Sequence, residues 1–133
     1  MSKWIQKGDK VLIIAGNDKG KIGEVLSRVK EETYKQRVCK VAGARKVVKD
    51  LIGRRDRVIV QGINIRKKHM KRSEGGAGGI VPMEKPIDIS NVVLCNAEGK
   101  PIRLKVRISD GAKELYYKEG DQEIVHRQIR KNA

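Results

Sequence analysis

Aromatic side chains are scarce in this chain of 133 residues. Phenylalanine is absent, and the four aromatic residues are Trp4, Tyr34, Tyr116 and Tyr117. Proteins that bind single-stranded nucleic acid stack successive bases on several aromatic rings. So small a set argues against that class of protein and leaves the core to be built from aliphatic side chains.

Cysteine and long apolar runs are also sparse. Cys39 and Cys95 lie 56 residues apart without a surrounding motif, which favours reduced thiols over a disulfide framework. The longest uninterrupted apolar run, Val11–Ala15, is far too short to span a membrane. Residues 1–10 have neither an apolar signal region nor the composition of a transit peptide. We therefore expect a soluble cytoplasmic protein that does not enter a membrane.

Positive charge is present in large excess. The chain has 31 Lys and Arg against 16 Asp and Glu, which gives a net charge of +15 and a pI near 10.1. A charge of this size favours a polyanionic partner and opposes self-association. It also argues against most enzymes that act on small molecules. We expect neither a homo-oligomer nor a small-molecule substrate.

β-Branched residues dominate the aliphatic set, with 14 Val and 15 Ile against 6 Leu. Such side chains fit a pleated sheet better than a helix. The length is that of one ordinary domain, or of a small domain with appendages. We therefore predict a small, mostly-β core of the sheet or barrel type.

A β-hairpin is predicted near the start of the chain. Lys10–Ala15 has the composition of a buried strand, Gly16–Gly20 that of a tight turn, and Lys21–Arg28 that of a second strand. The turn resembles a phosphate-binding P-loop, but it has three rather than four residues between its glycines and no Ser or Thr after the lysine. A turn whose backbone N–H groups, Lys19 and Lys21 meet a phosphate of a polymer is the better interpretation.

Residues 29–56 carry nine basic residues against four acidic ones, a net charge of +5. Their apolar residues recur at intervals of three or four, which predicts a short helix, at Val41, Ala44, Val48 and Leu51. A glycine and two adjacent valines within the segment weaken that pattern. Arg57–Gln61, which follows, is predicted to be another strand.

The second half of the chain is predicted to be extended. The glycines of residues 74–79 require a mobile or ligand-ordered loop, and two prolines bracket an extended connector over residues 82–86. Ile87–Leu94 alternates imperfectly and indicates a further strand or extended arm.

A last pair of strands is predicted near the end. Arg103–Ile108 alternates strictly, with three cations on one face and three aliphatic residues on the other. Leu115–Lys118 is expected to pair with it. The tail from Gln122 is polar, and its end is expected to be frayed.

The densest cationic run is Arg66–Arg72, with five cations in seven residues and no acid. Cations that neutralise phosphates release counterions, so each contact adds affinity and salt dependence without recognition of sequence. The two arginines can each fork two phosphate oxygens, and the three lysines act as point charges. The run also contains His69, which either donates a hydrogen bond to a nucleic acid or packs against the protein.

Other candidate sites have weaker support. Arg103, Lys105 and Arg107 form a second cationic face, for which the solvent side of an exposed strand is an equally good interpretation. No Ser or Cys lies in a recognisable nucleophile motif. A metal site would have to combine residues without paired-ligand spacing, namely Cys39, His69, Cys95 and His126. We therefore predict no enzymatic activity, no cofactor and no metal ion.

Three segments, in order along the chain, carry a family resemblance. Lys7–Val25 resembles a KOW motif, which occurs in ribosomal proteins and transcription elongation factors. Arg57–Lys71 and Gly78–Val92 resemble the later segments of the bacterial large-subunit ribosomal protein twenty-four family, including its Gly-Gly-Ile-Val and Ile-Ser-Asn-Val stretches. The resemblance covers most of residues 3–118.

One segment departs from that family, which usually joins the KOW hairpin to the next strand by a short turn. Here residues 29–56 intervene. A barrel tolerates such an insertion, because loop closure costs only about 0.6 kcal/mol per doubling of length. The insertion is either an added arm that contacts RNA or a solvated, partly disordered loop, and the sequence leaves both open.

The resemblance implies an SH3-like KOW barrel with an extended, β-rich C-terminal half. The barrel with its basic insertion would occupy residues 1–72, a glycine-rich loop and connector residues 73–86, and the C-terminal region with its polar tail residues 87–133. Trp4 is expected to plug one end of the barrel, although it could stack on a base.

The resemblance also implies a function. The chain would be a structural protein of the large ribosomal subunit, with ribosomal RNA and neighbouring ribosomal proteins as its partners. It would bind near the 5′ end of the large-subunit RNA, act early in assembly, and place the loop Glu74–Met83 near the nascent-chain exit tunnel. A KOW-containing transcription or RNA-processing factor is the alternative; it would bind polymerase and usually have an additional domain. A small enzyme acting on RNA is a further alternative, but it would need a catalytic constellation that the sequence lacks.

The residues expected to contact RNA are the cations of the hairpin and of the basic run, together with the histidine of that run. They are Lys7, Lys10, Lys19, Lys21, Arg66, Lys67, Lys68, His69, Lys71 and Arg72. Further candidates lie in the insertion and on the alternating strand, and they are Lys40, Arg45, Lys46, Arg54, Arg55, Arg103, Lys105 and Arg107.

Overall fold

The computed structural model describes residues 4–72, 76 and 78–131 of the chain. These residues form ten strands, which are β1 Lys10–Ile13, β2 Ile22–Val41, β3 Ala44–Val60, β4 Ile65–Met70, β5 Gly79–Glu84, β6 Ile87–Asp88, β7 Val92–Leu94, β8 Lys105–Ser109, β9 Ala112–Glu119 and β10 Gln122–Lys131. The mostly-β fold class predicted from the β-branched composition is confirmed. No helix in the described part of the chain is long and apolar enough to cross a membrane.

Five strands form the main sheet in the order β6-β3-β2-β1-β7, with every neighbouring pair antiparallel. Val11 of β1 lies opposite Gly23 of β2 on one side and opposite Leu94 of β7 on the other. The predicted hairpin over residues 10–28 is confirmed. The predicted strand at Ile87–Leu94 is interrupted by a 3₁₀ turn between β6 and β7.

The core is aliphatic, as the composition predicted. Four valines on three neighbouring strands have no exposed surface, and they are Val11, Val25, Val58 and Val60. The same cluster contains Ile5, Ile13, Ile63, Ile89, Val92, Leu94, Ile102, Leu104 and Leu115. Trp4 is half-buried against this cluster, which favours its packing role over base stacking.

Residues 29–56 form no helix, contrary to the spacing of their apolar residues. β2 and β3 continue beyond the main sheet as a two-stranded ribbon that is paired from Val29 out to Val41. Ala42 and Gly43, with φ of 49° and 79°, form the two-residue turn at its tip. Cross-strand hydrogen bonds pair the backbone groups that face the partner strand, and the β-branched residues favour this arrangement over a helix. We call residues 29–56 the arm; at about 3.3 Å per residue it is roughly 40 Å long.

β4 and β5 form a separate two-stranded sheet. Pro82 lies within β5 opposite Lys67 of β4, so part of the predicted connector over residues 82–86 is a strand. Half of the loop predicted over residues 74–79 lies outside the described residues, namely residues 74, 75 and 77. Its last residue, Gly79, begins β5.

β8, β9 and β10 form a three-stranded antiparallel sheet. The predicted pairing of Leu115–Lys118 with the alternating strand is confirmed, although β8 begins at Lys105. The polar tail from Gln122 pairs with β9 as β10 as far as Lys131, with two register shifts. Residues 132 and 133, at the end that is expected to be frayed, lie outside the described residues. Without β10, the edge of β9 would expose a row of unpaired backbone N–H and C=O groups. The backbone of β10 pairs with these groups, although most of its side chains are polar.

The C-terminal sheet is held on the barrel by apolar packing and by one buried ion pair. Leu104 and Leu115 belong to the same buried cluster as the barrel valines. Asp9, which is 8% exposed, accepts a hydrogen bond from the guanidinium of Arg127 and another from the backbone N–H of Gln6 at 2.8 Å. A contact between the first and last elements of the chain therefore joins the two halves.

His126 lies beside this ion pair, with its Nε2 3.6 Å from the carboxylate of Asp9. Burial lowers the pKa of His126, outweighing the attraction of that carboxylate. At neutral pH the histidine is uncharged, so Arg127 supplies the positive charge that Asp9 requires.

Candidate nucleic-acid interface

The turn between β1 and β2 is closed by backbone hydrogen bonds. Gly20 N donates to Ile13 O at 2.8 Å, and Lys19 N donates to Gly16 O at 3.3 Å. The φ angles of Gly16 and Gly20, 99° and 87°, lie in the left-handed region that favours glycine. The turn leaves the side chain of Lys19 exposed at its tip.

Asp18 fastens this turn to the loop that leads into β4. One carboxylate oxygen accepts a hydrogen bond from the backbone N–H of Asn64 at 2.9 Å, and the other accepts one from Lys21 Nζ at 2.6 Å. The hydrogen bond from Lys21, followed by that from Asn64, lowers the pKa of Asp18. The group is therefore an anion at neutral pH, and the turn and the start of β4 are held side by side.

A cleft of about 580 Å³ opens between these two elements. Its lining includes the carboxamides of Asn17, Asn64 and Asn91 and the cations Lys21 and Arg66. Arg66 Nε donates to Asn64 Oδ1 at 3.3 Å. Carboxamides can donate and accept hydrogen bonds, and the two cations share this lining with the carboxylates of Asp18 and Asp88, so the cleft is polar without a net charge of its own. The fold thus brings Lys21 and Arg66, which are 45 positions apart in the sequence, to one surface.

The basic run begins on β4, where every side chain is exposed, and its last two residues, Lys71 and Arg72, follow the strand. Successive residues of a strand point to opposite faces. Arg66 and Lys68 therefore lie on one face of the β4–β5 hairpin, and Lys67 and His69 lie on the other. A run that looks continuous in the sequence is two-sided in the structure.

Lys7 and Lys10 are exposed, but they are not part of the cleft. β1 begins at Lys10 and runs towards the Gly16–Gly20 turn, so both lysines lie at the other end of the sheet. Glu24 of β2 is directly opposite Lys10. These two lysines are at the end from which the arm extends.

The cations predicted in the insertion occupy different positions along the arm. Lys40 and Arg45 are directly opposite each other near the tip, and Lys46 lies on the other face. Arg54 and Arg55 lie nearer the barrel, each opposite a glutamate, and Arg54 Nε is 3.2 Å from its partner's carboxylate.

Comparison with known families supports the KOW resemblance and extends it. The family model of the KOW motif matches residues 7–38, and that of the C-terminal domain of large ribosomal subunit protein uL24 matches residues 63–124. Large ribosomal subunit protein uL24 of Protochlamydia amoebophila (strain UWE25) is 42% identical over 132 residues, which cover 98% of this chain and 92% of that protein. The chain belongs to the uL24 family.

Other uL24 proteins match over similar lengths. That of Idiomarina loihiensis is 39% identical over 124 residues, covering 91% of this chain and 97% of its own length. That of Dinoroseobacter shibae is 36% identical over 118 residues, covering 89% and 94%. The family resemblance inferred from the three segments is confirmed. Members of the uL24 family are structural, non-enzymatic proteins of the large ribosomal subunit, and so is this chain.

The cationic face predicted on the C-terminal sheet is partly neutralised. Arg107 Nε is 3.2 Å from a carboxylate oxygen of Glu114, and its Nη1 is 3.1 Å from one of Glu123. The guanidinium also lies over the ring of Tyr116, 5.1 Å from its centroid. Lys105 is exposed opposite Tyr116, and Arg103 is exposed before β8 begins.

The four residues considered as metal ligands lie on different elements of this uL24 family member. Cys39 is on the arm, His69 on β4, Cys95 just after β7 and His126 on β10. Both cysteines are free, and burial raises the pKa of the Cys95 thiol. Within the described residues, no three His, Cys, Asp or Glu side chains are grouped so that they could hold a metal ion.

Proposed function

We propose that this protein binds large-subunit ribosomal RNA, with the cleft and the β4–β5 hairpin as its principal contact surface. The observation that carries the proposal is the positive charge on the hairpin and just after β4 that has no ion-pair partner among the described residues. None of the ion pairs among the described residues involves Lys67, Lys68, Lys71 or Arg72. Exposed cations without a carboxylate partner remain free to neutralise phosphates.

This surface is better suited to contacting the RNA backbone and fitting the shape of the RNA than to recognising bases. Neither the turn at residues 16–20 nor residues 64–86 contain Phe, Trp or Tyr. The imidazole of His69 is the one aromatic ring in these segments, so they have no series of rings for stacking successive bases, whereas lysine and arginine provide sequence-independent contacts to phosphate.

We further propose that the β4–β5 hairpin lies near the nascent-chain exit tunnel and that the protein joins the subunit early. The hairpin is separate from the main sheet, and an isolated two-stranded hairpin is marginally stable in water. Surfaces of RNA or of neighbouring proteins would stabilise it. The hairpin can reach these surfaces only before the surrounding RNA and proteins have closed around its position, so we expect the protein to join the subunit early.

Assembly and location can be tested together in ribosomes that carry a photoreactive residue at Ile80, which is 58% exposed on the hairpin. Pulse-labelled protein should appear in early large-subunit precursors on a sucrose gradient, and Ile80 should cross-link to the nascent chain of a stalled ribosome. The same group at Ile108, 69% exposed on the C-terminal sheet, is the control and should not cross-link. Sedimentation only in free or polymerase-bound fractions would overturn the ribosomal assignment; entry only into late precursors would overturn the proposed timing. Equal cross-linking from both positions, or from neither, would overturn the assigned location of the hairpin.

Reversing the charge of Lys67, Lys68 and Lys71 to glutamate should weaken RNA binding and flatten its salt dependence. Three lost phosphate contacts should change the slope of log K against log salt by about 2 to 3. The affinity for purified large-subunit RNA, measured between 50 and 200 mM salt on the full chain, checks this expectation.

A matched control reverses three lysines of the C-terminal half, which are Lys100, Lys113 and Lys118. Two of them already pair with Glu98 and Glu123. This variant has the same net charge as the first, so long-range attraction alone would make the two variants equal. An unchanged slope in the first variant would remove the basic run from the RNA site.

A further inference from the structure

The arm carries its net positive charge only in its distal half. Residues 34–51 contain six cations and a single acid, Asp50. Residues 29–33 and 52–56, which join this distal half to the barrel, together contain three cations and three acids. The +5 noted for the whole segment is therefore concentrated at the end far from the barrel.

Ion pairs occupy the neutral half of the arm. Arg54 pairs with Glu32, and Asp56 accepts two hydrogen bonds from the guanidinium of Arg28. The side chains of Arg28 and Asp56 are 18% and 29% exposed, so this pair lies partly inside the protein. Ion pairs therefore stabilise the half of the arm that lies next to the barrel and leave it without net charge.

The distal half has two unlike faces. Directly opposed residues of antiparallel strands point to the same side. The register places eight described side chains on one side, the valine face, and they are Tyr34, Gln36, Val38, Lys40, Arg45, Val47, Lys49 and Leu51. The valine face contains no acid. Asp50 is on the other face, where it pairs with Arg37 at 2.8 Å.

Apolar side chains on the valine face are exposed. Val38 and Val47, which are directly opposite each other, are 64% and 56% exposed, and Tyr34 and Leu51 are 49% and 45% exposed. The two apolar pairs are separated on this face by Gln36 and Lys49, and exposed apolar residues rimmed by polar ones mark an interaction surface. A two-stranded ribbon is also marginal on its own in water. Both facts indicate that a partner covers this face.

We propose that the valine face binds double-helical RNA across its minor groove, as a second RNA contact of the protein. This inference rests on the proposed function. Three cations without an acid among them match a polyanion, with Lys40 and Arg45 at the tip and Lys49 further back. The minor groove of A-form RNA is wide and shallow and exposes riboses, which the flat pair Val38 and Val47 can contact.

Stacking on unpaired bases does not suit this face. Its only aromatic residue is Tyr34, whose hydroxyl donates a hydrogen bond to Glu32 in the ion-paired half of the arm. We therefore expect the valine face to recognise the shape and the backbone of the RNA rather than its bases. An acidic patch of a neighbouring protein would be the competing partner, and the experiment below separates it from RNA.

The test compares two triple variants of the full chain with the same net charge. One changes Lys40, Arg45 and Lys49 of the valine face to glutamine. The other changes the three cations of the opposite face, Lys35, Arg37 and Lys46, in the same way. Affinities are measured for a 20-base-pair RNA duplex, for its single strands and for large-subunit RNA.

The valine-face variant should bind the duplex roughly tenfold or more weakly and lower its salt slope by about 2 to 3, whereas the opposite-face variant should change much less. Replacing Val38 and Val47 by threonine, which keeps the strand propensity, should weaken duplex binding without changing the slope. Equal losses in the two triple variants would show unspecific attraction and overturn the assignment to one face. Unchanged duplex binding in all variants, or equal binding to single strands, would overturn the proposal.

The proposed function and this inference fail separately. If the Lys67, Lys68 and Lys71 variant loses affinity for large-subunit RNA while the valine-face variant keeps it, the proposed function stands and the arm is not an RNA site. If the valine-face variant binds RNA normally but incorporates poorly into subunits, the arm contacts a neighbouring protein, and the proposal is overturned.

Discussion

Replacing Asp9 by alanine should lower the free energy of unfolding by about 3–5 kcal/mol, because removing one partner of a buried ion pair leaves the other charge uncompensated. The side chains of Asp9 and Arg127 are 9% and 21% exposed. The variant also deprives the backbone N–H of Gln6 of its acceptor. Chemical denaturation followed by the fluorescence of Trp4 and by circular dichroism measures the change.

Two comparisons isolate the buried pair. Glu98→Ala breaks an exposed pair with Lys100 and should leave the denaturation midpoint nearly unchanged. The double variant Asp9→Leu with Arg127→Met should recover much of the lost stability, because apolar residues can replace a buried ion pair. If Asp9→Ala cost no more than Glu98→Ala, the pair would not hold the two halves together.

The second large effect is expected at Gly23, where alanine should lower the free energy of unfolding by about 1–3 kcal/mol through overpacking. An added Cβ would lie 2.6 Å from Val60 Cγ1 and 2.9 Å from the backbone oxygen of Gln61. Val60 is completely buried and cannot move aside cheaply. Denaturant titration of the variant against the parent protein gives the value.

Gly53→Ala is the matched control for this substitution. Nothing lies within 4 Å of the position of its added Cβ, and its φ is not in the left-handed region. Alanine there should be neutral or slightly stabilising, since it reduces the entropy of the unfolded chain. Combining Gly23→Ala with Val60→Ala should relieve only part of the strain, because the oxygen of Gln61 remains. Equal stability of the Gly23 and Gly53 variants would contradict the overpacking explanation.

Local patterns predicted the local structure well. The Gly16–Gly20 turn and its flanking strands were predictable because glycine spacing and apolar runs act within a few residues. The helix predicted from the spacing of Val48 and Leu51 was wrong, because that spacing also fits a ribbon in which they lie on opposite faces. The signal for a hairpin that the helix prediction missed was Ala42-Gly43, with Val38 and Val41 before it and Val47 and Val48 after it.

Long-range pairing could not be predicted in the same way. The polar tail becomes β10 because β9 offers it a partner, and no property of residues 122–131 alone specifies that partner. The ion pair of Arg127 with Asp9 spans 118 positions. Such contacts depend on the topology of the whole chain rather than on composition.

In the candidate site, too, some features were predictable from the sequence and others depended on long-range pairing. Charge density located the basic run and the insertion, since charge is a property of the sequence itself. The faces on which those charges lie depend on strand register. Lys49 was not among the predicted contacts, because only the pairing of β2 with β3 places it beside Lys40 and Arg45.

The arm leaves and rejoins the main sheet at the same place, and this geometry determines how its length can change in evolution. β2 leaves the main sheet and β3 re-enters it at paired residues, Val29 and Arg57, so the barrel is indifferent to the ribbon's length. One residue added to each strand would turn the distal face to the opposite side; two would restore it about 7 Å further out. The arm can therefore become longer or shorter in evolution without a change in the barrel. Its tip keeps the same orientation only when each strand gains or loses an even number of residues.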